Sequence, residues 1–281
     1  VKLSTDVIEY CAKHLPAWVP LAMSGYHIRD SGSTAAQELA FTFANALAYI
    51  ESALERGLQI DDFAPQLFTF LAASIDFLEE TAKFRAARRF WARLMRDRFD
   101  AQDPESMKLR IFAYTLGGNL IAQQPLNNIV RVTIETLAAV LGGVQTIATS
   151  SFDEAFCLPS REAVTVALRT QQIIAREIGV TNLVDALGGS YALEHLTTRL
   201  EQEVREIIQQ VEAVGGAVAC IEQGFFQREL ANAAYRRQKA IESGEKLLVG
   251  LNIYRDESEE VNIPVFKVDP ESERRQIQRL H

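Results

Sequence analysis

Four histidines are spread over the 281 residues, and one of them, His27, sits among neighbours that can all do chemistry. The run is Ser24-Gly25-Tyr26-His27, with Arg29 and Asp30 close behind and then Ser31-Gly32. It brings together a phenol, an imidazole, a guanidinium and a carboxylate. An imidazole titrates near neutral pH and serves as an acid or as a hydrogen-bond donor to a carbonyl. On these residues alone, His27 is either such a group or a loop histidine without a role. Other polar residues fall around the ends of short apolar segments: Gln66 near one, Tyr114 and Thr115 at a second, and Gln145, Asp153 and Glu154 around a third. If the segments are parallel strands, such residues face one mouth. Strand ends are also polar simply because they are exposed.

The segments that must position these residues alternate. Apolar stretches of strand length run over 19–23, 67–72, 109–115 and 145–149. Helical periodicity covers 4–15, 33–56, 75–99, 127–141 and 161–178, with a serine near the start and Gly57 at the end of the second stretch. Gly25 ends the first strand, where glycine permits backbone conformations that other residues resist. Strands alternating with long helices predict an α/β fold with a parallel sheet and right-handed crossovers. Four β/α units are half of a TIM-type (β/α)8 barrel. Half a barrel leaves an open sheet edge and an uncovered face, so a second chain supplying the remaining strands is expected. We divide the chain at 185 and 255: the half-barrel over 1–185, a helical extension over 186–255, and a charged tail over 256–281. The extension has helical patterns at 191–213 and 226–243, joined by Gly215-Gly216. In the tail, Ile263-Pro264-Val265-Phe266 reads as an extended arm and 271–279 as a short exposed helix or disorder.

Composition narrows the function. A net charge of −8 argues against a general nucleic-acid binder, and no apolar stretch is long enough to span a membrane. Cys11, Cys157 and Cys220 are scattered, with no C-x-x-C, so they read as three reduced thiols of a cytoplasmic protein and not as a metal or disulfide framework. No metal site is expected. No P-loop, G-x-G-x-x-G, G-x-S-x-G or H-E-x-x-H occurs. His14 and His195 lie in helical patterns and read as surface or packing residues. The basic group over 83–98 is interleaved with acids and reads as a solvated helix face. The glycine pairs at 117–118, 142–143 and 188–189 either cap helices and turns or let a flat ligand approach the backbone.

Ser24-Gly25-Tyr26-His27 with Ser31-Gly32 resembles the S-G-Y-H…A-G segment of the acyl-CoA mutases that use adenosylcobalamin, the methylmalonyl-CoA and isobutyryl-CoA mutases among them. The likeness continues through Phe63-Ala64-Pro65, Ala82-Lys83-Phe84-Arg85-Ala86-Ala87-Arg88 with Trp91, and QQPLNNIVR over 123–131. It then takes in Leu141-Gly142-Gly143-Val144-Gln145, Ser151-Phe152-Asp153-Glu154-Ala155 and Asp185-Ala186-Leu187-Gly188-Gly189-Ser190-Tyr191. Ala234-Tyr235-Arg236-Arg237-Gln238 and Val249-Gly250-Leu251-Asn252 extend it to about Tyr254. The resemblance implies that 1–185 is the second half of a barrel that holds an acyl-CoA along its axis. Adenosylcobalamin then caps the carboxyl ends of the strands and starts a radical carbon-skeleton isomerisation. It assigns His27 as donor to the thioester carbonyl and Tyr26 as lining beside it. Asp30, where the family usually has Glu, joins Gly117, Glu154 and Ala155 on the corrin side.

The substrate side departs from the family. Gln66-Leu67-Phe68 stands where Arg-Leu-Ser grips CoA, which removes a cation and a hydroxyl. Phe112-Ala113-Tyr114 replaces His-x-Gln, Glu105 stands for a lysine, and Ala148 for a histidine, while Gln145 is kept. Gln66, Phe68, Tyr114 and Gln145 are therefore the expected substrate-side residues. The first half of the barrel and the D-x-H-x-x-G of a cobalamin-binding domain do not occur in these residues. The resemblance thus implies an isomerase component that acts in an oligomer with a cobalamin-binding subunit or domain and a chain completing the barrel. The alternative is a catalytically degenerate subunit that stabilises a partner chain.

Overall fold

Ala22 pairs with Phe68, Phe68 with Arg110 and Phe112 with Thr146, all in parallel, so four strands lie side by side in chain order. A computed structural model describes residues 1–256 and 269–281. The elements are α1 (Lys2–His14), β1 (Ala22–Ser24), α2 (Tyr26–Asp30), α3 (Ala35–Glu55), α4 (Ile60–Phe63), β2 (Phe68–Ala73) and α5 (Phe77–Phe99). Then come β3 (Arg110–Thr115), α6 (Asn127–Leu141), β4 (Thr146–Ala148), α7 (Arg161–Arg176), α8 (Tyr191–Val214), α9 (Gly216–Glu222), α10 (Phe225–Glu242) and α11 (Pro270–Leu280). Each strand is followed by a helix before its parallel neighbour, the arrangement of four consecutive units of a TIM-type barrel. The extended arm expected at 263–266 lies outside the described residues. The exposed helix expected at 271–279 is α11.

Alternation along the strands explains the two sides of the sheet. Leu71, Ala73, Ile111 and Ala113 are fully buried and belong to one apolar core with Leu39, Phe43, Ile50, Phe84 and Trp91 of α3 and α5. On the opposite side Phe68, Phe70, Phe112 and Tyr114 are only half-buried. That second side is the inner face of the half-barrel. The outer strands β1 and β4 have three residues each. Large apolar side chains stand exposed beside both: Tyr10, Leu15, Trp18 and Val19 near β1, and Leu126 just before α6 with Val130, Val164 and Leu168 on α6 and α7 beyond β4. Surface of this kind marks an interface.

Several boundaries differ from expectation for physical reasons. The first strand begins at Ala22 and not at 19, because Pro20 has no amide hydrogen to give a neighbour. The polar turn after it is a one-turn helix, α2. The helices start where caps dictate: Thr34 and Gln37 form a reciprocal capping box ahead of α3, and Asp76 accepts from Glu79 N ahead of α5. The helical extension shares the core of the half-barrel. Leu193, Leu200, Val204, Ile208 and Val211 of α8 join the same cluster as α3 and α5, and Phe226 of α10 packs on Phe41 with ring centroids 4.5 Å apart. Sheet, α3 with α5, and α8 therefore form three successive layers.

The basic group of α5 is a solvated face only in part: Arg93, Arg96 and Arg98 are exposed, and the rest is covered. Lys83 is fully buried, and Arg85, Arg89 and Arg93 reach across to α8. Glu201 gathers Arg89 at 2.5 Å, Arg93 at 2.6 Å and Arg205 at 2.7 Å. Burial opposes its charge, but those three guanidinium groups outweigh it and hold the carboxyl below its usual range. Where α8 covers α5 as a second helix layer, the charged side chains are drawn from solvent and paired.

Gly25 is needed for space. Its φ of −98° suits any residue, contrary to the expectation of a special backbone. A Cβ there would stand 2.4 Å from Thr42 Oγ1 and 2.9 Å from Leu71 Cδ2. This close approach lets the β1–α2 junction seat against α3 and β2. Gly25→Ala is expected to destabilise the chain by about 1–3 kcal/mol through overpacking. Urea denaturation midpoints of the two proteins measure it, and equal midpoints would contradict the steric account.

Candidate functional site

Tyr26 and Asp30 lie at opposite ends of α2, and each is held by the backbone that follows β3. The Gly117 amide donates to the Tyr26 hydroxyl at 3.1 Å, and the Gly118 amide donates to Asp30 Oδ1 at 2.9 Å. Both amides belong to the tight 3-10 turn Gly117–Asn119. A Cβ at 117 would meet the Tyr26 oxygen at 3.3 Å, and one at 118 would meet Asp30 Oδ1 at 2.8 Å. This glycine pair therefore admits side chains from α2. The pair at 142–143 ends α6 and packs on Phe84 and Arg88, and the pair at 188–189 precedes α8.

The Tyr26 ring stacks on Phe70 at 4.9 Å and meets Tyr114 edge-on at 5.5 Å. Tyr114 donates its hydroxyl to Glu154 Oε1 at 3.0 Å. Burial raises the Tyr26 hydroxyl well above a phenol's usual range, reinforced by the carboxylates of Asp30 and Glu154. Burial and Glu154 raise Tyr114 likewise. Both are neutral donors at physiological pH. Tyr26 accepts from Gly117, and no acceptor for its own proton lies among the described residues. His27 is exposed, with Nδ1 at 3.1 Å from Ser24 Oγ and its ring edge-on to Tyr26 and Phe70. When Ser24 donates to Nδ1, the imidazole carries its proton on Nε2, on the open side.

Strand direction separates the expected site residues into two groups. Tyr26, His27, Asp30, Tyr114, Gly117, Glu154 and Ala155 come together at or beyond the carboxyl ends of the strands. Gln66 and Gln145 do not join them, although both were expected at that mouth. Each precedes its strand, and in a parallel sheet that is the amino end. Gln145 Oε1 accepts from the Ile111 amide at 2.7 Å, so its side chain closes the start of β3. Gln66 is buried with Oε1 unpartnered. Phe68 opens β2 at this end, with Phe112 at 6.4 Å, and Phe112 continues to Phe70 at 5.0 Å. Rings thus line the inner face from one end to the other.

Three features escaped sequence reasoning. Arg110, opposite Phe68, is exposed on the inner face at the amino end, and its alternation with Phe112 and Tyr114 was the available signal. Behind the rim, Lys83 Nζ bonds Glu38 at 2.7 Å, Glu80 at 2.6 Å and the Ala72 carbonyl at 2.7 Å. Glu38 in turn accepts from Ala72 N, Glu80 accepts from Ser74 N, and Arg29 of α2 reaches Glu80 at 3.2 Å. This buried cluster ties α2, α3 and α5 to the end of β2. The third is buried Glu135, which meets Asn119 of the 3-10 turn.

A parallel half-barrel with neutral donors and carboxylates on its carboxyl rim, and an open ring-lined inner face, defines a β/α barrel component built to work at a strand-end site. Comparison with known proteins places it more closely. The chain belongs to the methylmalonyl-CoA mutase family, whose family model matches residues 1–281. It is 44% identical over 279 residues to the 2-hydroxyisobutanoyl-CoA mutase large subunit of Aquincola tertiaricarbonis, covering 99% of this chain and 50% of that protein. It is 42% identical over 269 residues to the methylmalonyl-CoA mutase of Rhizobium meliloti, covering 96% and 38%. It is 40% identical over 281 residues to the mitochondrial methylmalonyl-CoA mutase of Homo sapiens, covering 100% and 37%. The chain thus spans half or less of the length of these relatives.

Proposed function

We propose that this chain is a component of a cobalamin-dependent acyl-CoA mutase, an isomerase that rearranges the carbon skeleton of an acyl-CoA. It contributes the second half of the barrel and works in the cytoplasm, in an oligomer with the segments that complete the barrel and bind cobalamin. The observation that carries the reading is the rim itself, where Tyr26, Asp30, Tyr114 and Glu154 are locked by Gly117, Gly118 and one another around the opening.

The fit of a corrin ring rests on what the rim leaves unsatisfied. Glu154 Oε2 and Asp153 Oδ1 are buried without a partner, and Tyr26 has a proton to donate. A flat ring edged with amides offers both donors and acceptors to such groups. Adenosylcobalamin, when bound, supplies the radical that starts the reaction. Asp30 and Glu154 would hold the ring's edge, beside Gly117 and Ala155. His27 Nε2 donates to the thioester carbonyl, orients it and stabilises charge that develops there. Tyr26, Phe70 and Phe112 wall the acyl group and keep water out. Arg110 offers a cation at the amino end, where Gln66 gives none.

The second reading, a non-catalytic subunit that stabilises an active chain, is favoured by that same amino end: Gln66 is neutral there and Phe68 carries no hydroxyl. Titration separates the two. The chain is reconstituted with the missing barrel half and a cobalamin-binding segment. Adenosylcobalamin and CoA are then added separately, followed by absorbance and calorimetry. The mutase reading expects saturable binding of both. Cofactor binding with no CoA binding supports the stabilising role, and no cofactor binding overturns the mutase reading.

A further inference from the structure

Glu135, on α6, is fully buried and lies behind the rim. Its Oε1 accepts from Asn119 Nδ2 at 2.6 Å, and its Oε2 has no partner. Asn119 closes the 3-10 turn whose first two amides hold Tyr26 and Asp30. The same amide group also donates to Ser74 Oγ at 3.0 Å, and its oxygen accepts from Arg237 of α10 at 3.0 Å. Asn119 is thus the point where α6, α10 and the end of β2 meet the turn.

We propose that Glu135 is a positioning residue for the corrin-side rim: it anchors Asn119, and through Asn119 it holds the Gly117–Asn119 turn that sets Tyr26 and Asp30. The proposal rests on the reading that these two residues face a ligand.

The surroundings favour the neutral form. Burial is the largest influence and pushes the carboxyl up to about 8; the Asn119 amide and the Leu116 backbone favour the charged form, and burial together with the Glu80 carboxylate of α5 outweighs them. Arg131, one turn earlier on α6, works against this, but its guanidinium is bonded to Asn128 Oδ1 at 2.8 Å and the Val249 carbonyl at 2.7 Å. Arg237 meets the Asn119 oxygen and the Gly118 carbonyl. An ionised Glu135 would be a buried charge with one oxygen unsatisfied, a state the fold relieves by opening.

The sign of the pH dependence follows. The unfolded chain releases this proton near a carboxyl's ordinary value of 4.5, and the folded chain keeps it to about 8. The native state therefore binds more protons between those limits, and Glu135's contribution to stability declines as pH rises through that window. Glu135→Gln keeps the acceptor for Asn119 and cannot ionise, so it removes this decline.

The test is hydrogen exchange of the segment 116–121 in the full chain without cofactor, measured from pH 6 to 9 together with urea stability. In the wild type, exchange is expected to accelerate above the hydroxide dependence of an open amide as pH passes through about 8. Glu135→Gln should follow hydroxide dependence alone and flatten the stability slope. Asn119→Ala should expose the segment at every pH, and Glu135→Asp added to Asn119→Ala should expose it no further. Two results would overturn the proposal: a wild-type pH dependence in Glu135→Gln, or a segment as protected in Asn119→Ala as in the wild type. A merely structural glutamate would give the same stability slope by linkage but no change of exchange confined to 116–121, so the local exchange is the readout that separates the two roles. No cofactor enters the measurement, so its failure and the failure of the mutase reading are separable.

Discussion

Lys83→Met is expected to lower the stability of this chain by about 3–5 kcal/mol, enough to unfold a marginally stable domain. Lys83 is the central cation of a buried cluster. Its ammonium bonds Glu38, Glu80 and the Ala72 carbonyl, and all three side chains are fully buried. Methionine matches much of the volume, so the loss reflects charge more than packing. Without the ammonium, Arg29 faces both carboxylates alone, at 3.2 Å from Glu80 and 3.9 Å from Glu38. The pH dependence gives the cause away. In the wild type, burial opposes the charge on Glu80, but Lys83 and Arg29 outweigh it and hold the carboxyl low. That contribution is present above the unfolded carboxylate range and lost as pH falls through the depressed folded value. Glu38 is already raised by burial in the wild type, despite Lys83; without Lys83, burial raises Glu80 too and Glu38 further, and acid neutralises them at little cost. The gap between the two proteins should therefore narrow as pH falls. Urea titrations at several pH values measure it, and a gap independent of pH would contradict the electrostatic account. Replacing Glu38 and Glu80 by glutamine along with Lys83→Met should recover part of the loss.

The second large effect concerns chemistry and leaves the fold standing. In the complete enzyme, His27→Ala is expected to lower kcat by about 10²–10³-fold, the usual effect of deleting one donor to a carbonyl that gains charge. Stability should fall by less than about 1.5 kcal/mol, the range of the edge-on contacts with Tyr26 and Phe70. His27 is exposed and makes a single side-chain bond, to Ser24. The separation of the two readouts identifies a group acting on substrate. His27→Gln keeps a donor on a longer arm and should recover part of the rate. A variant as active as the wild type would remove His27 from the mechanism.

The rim was legible because two independent signals met there. Apolar segments of strand length ended at Ser24 and Thr115, and the residue types beyond them suited a site. Strand order followed from alternation, since each crossover carries one helix. The sequence did not reveal which end of a strand Gln66 and Gln145 occupy. A glutamine flanking an apolar run reads the same before it or after it, and only the strand boundaries decide. Lys83 was opaque for a related reason. It sits among Arg85, Arg88 and Arg89, and one helix's periodicity cannot show that a second helix layer covers the basic side while Lys83 turns inward. Glu135 reads as one acid in an amphipathic helix. Its importance comes from Asn119, sixteen positions away in sequence.

The half-barrel explains why the inner face looks weaker than the carboxyl rim. On the part of the carboxyl rim that these four strands supply, Tyr26, Asp30, Tyr114 and Glu154 are each held by Gly117, Gly118 or one another. The inner face is open, with Phe68, Phe70, Phe112 and Tyr114 half-buried. Such a face becomes a pocket only when strands pair with β1 and β4 and the exposed apolar residues beside them are covered.

Turnover in the reconstituted complex tests this account most directly. The chain, the missing barrel half, a cobalamin-binding segment and adenosylcobalamin are combined and given methylmalonyl-, isobutyryl- and 2-hydroxyisobutyryl-CoA in turn. Carbon-skeleton isomerisation of at least one of them, abolished when this chain is left out, is the predicted result. A complex that binds both cofactor and CoA yet interconverts none of the three would contradict it.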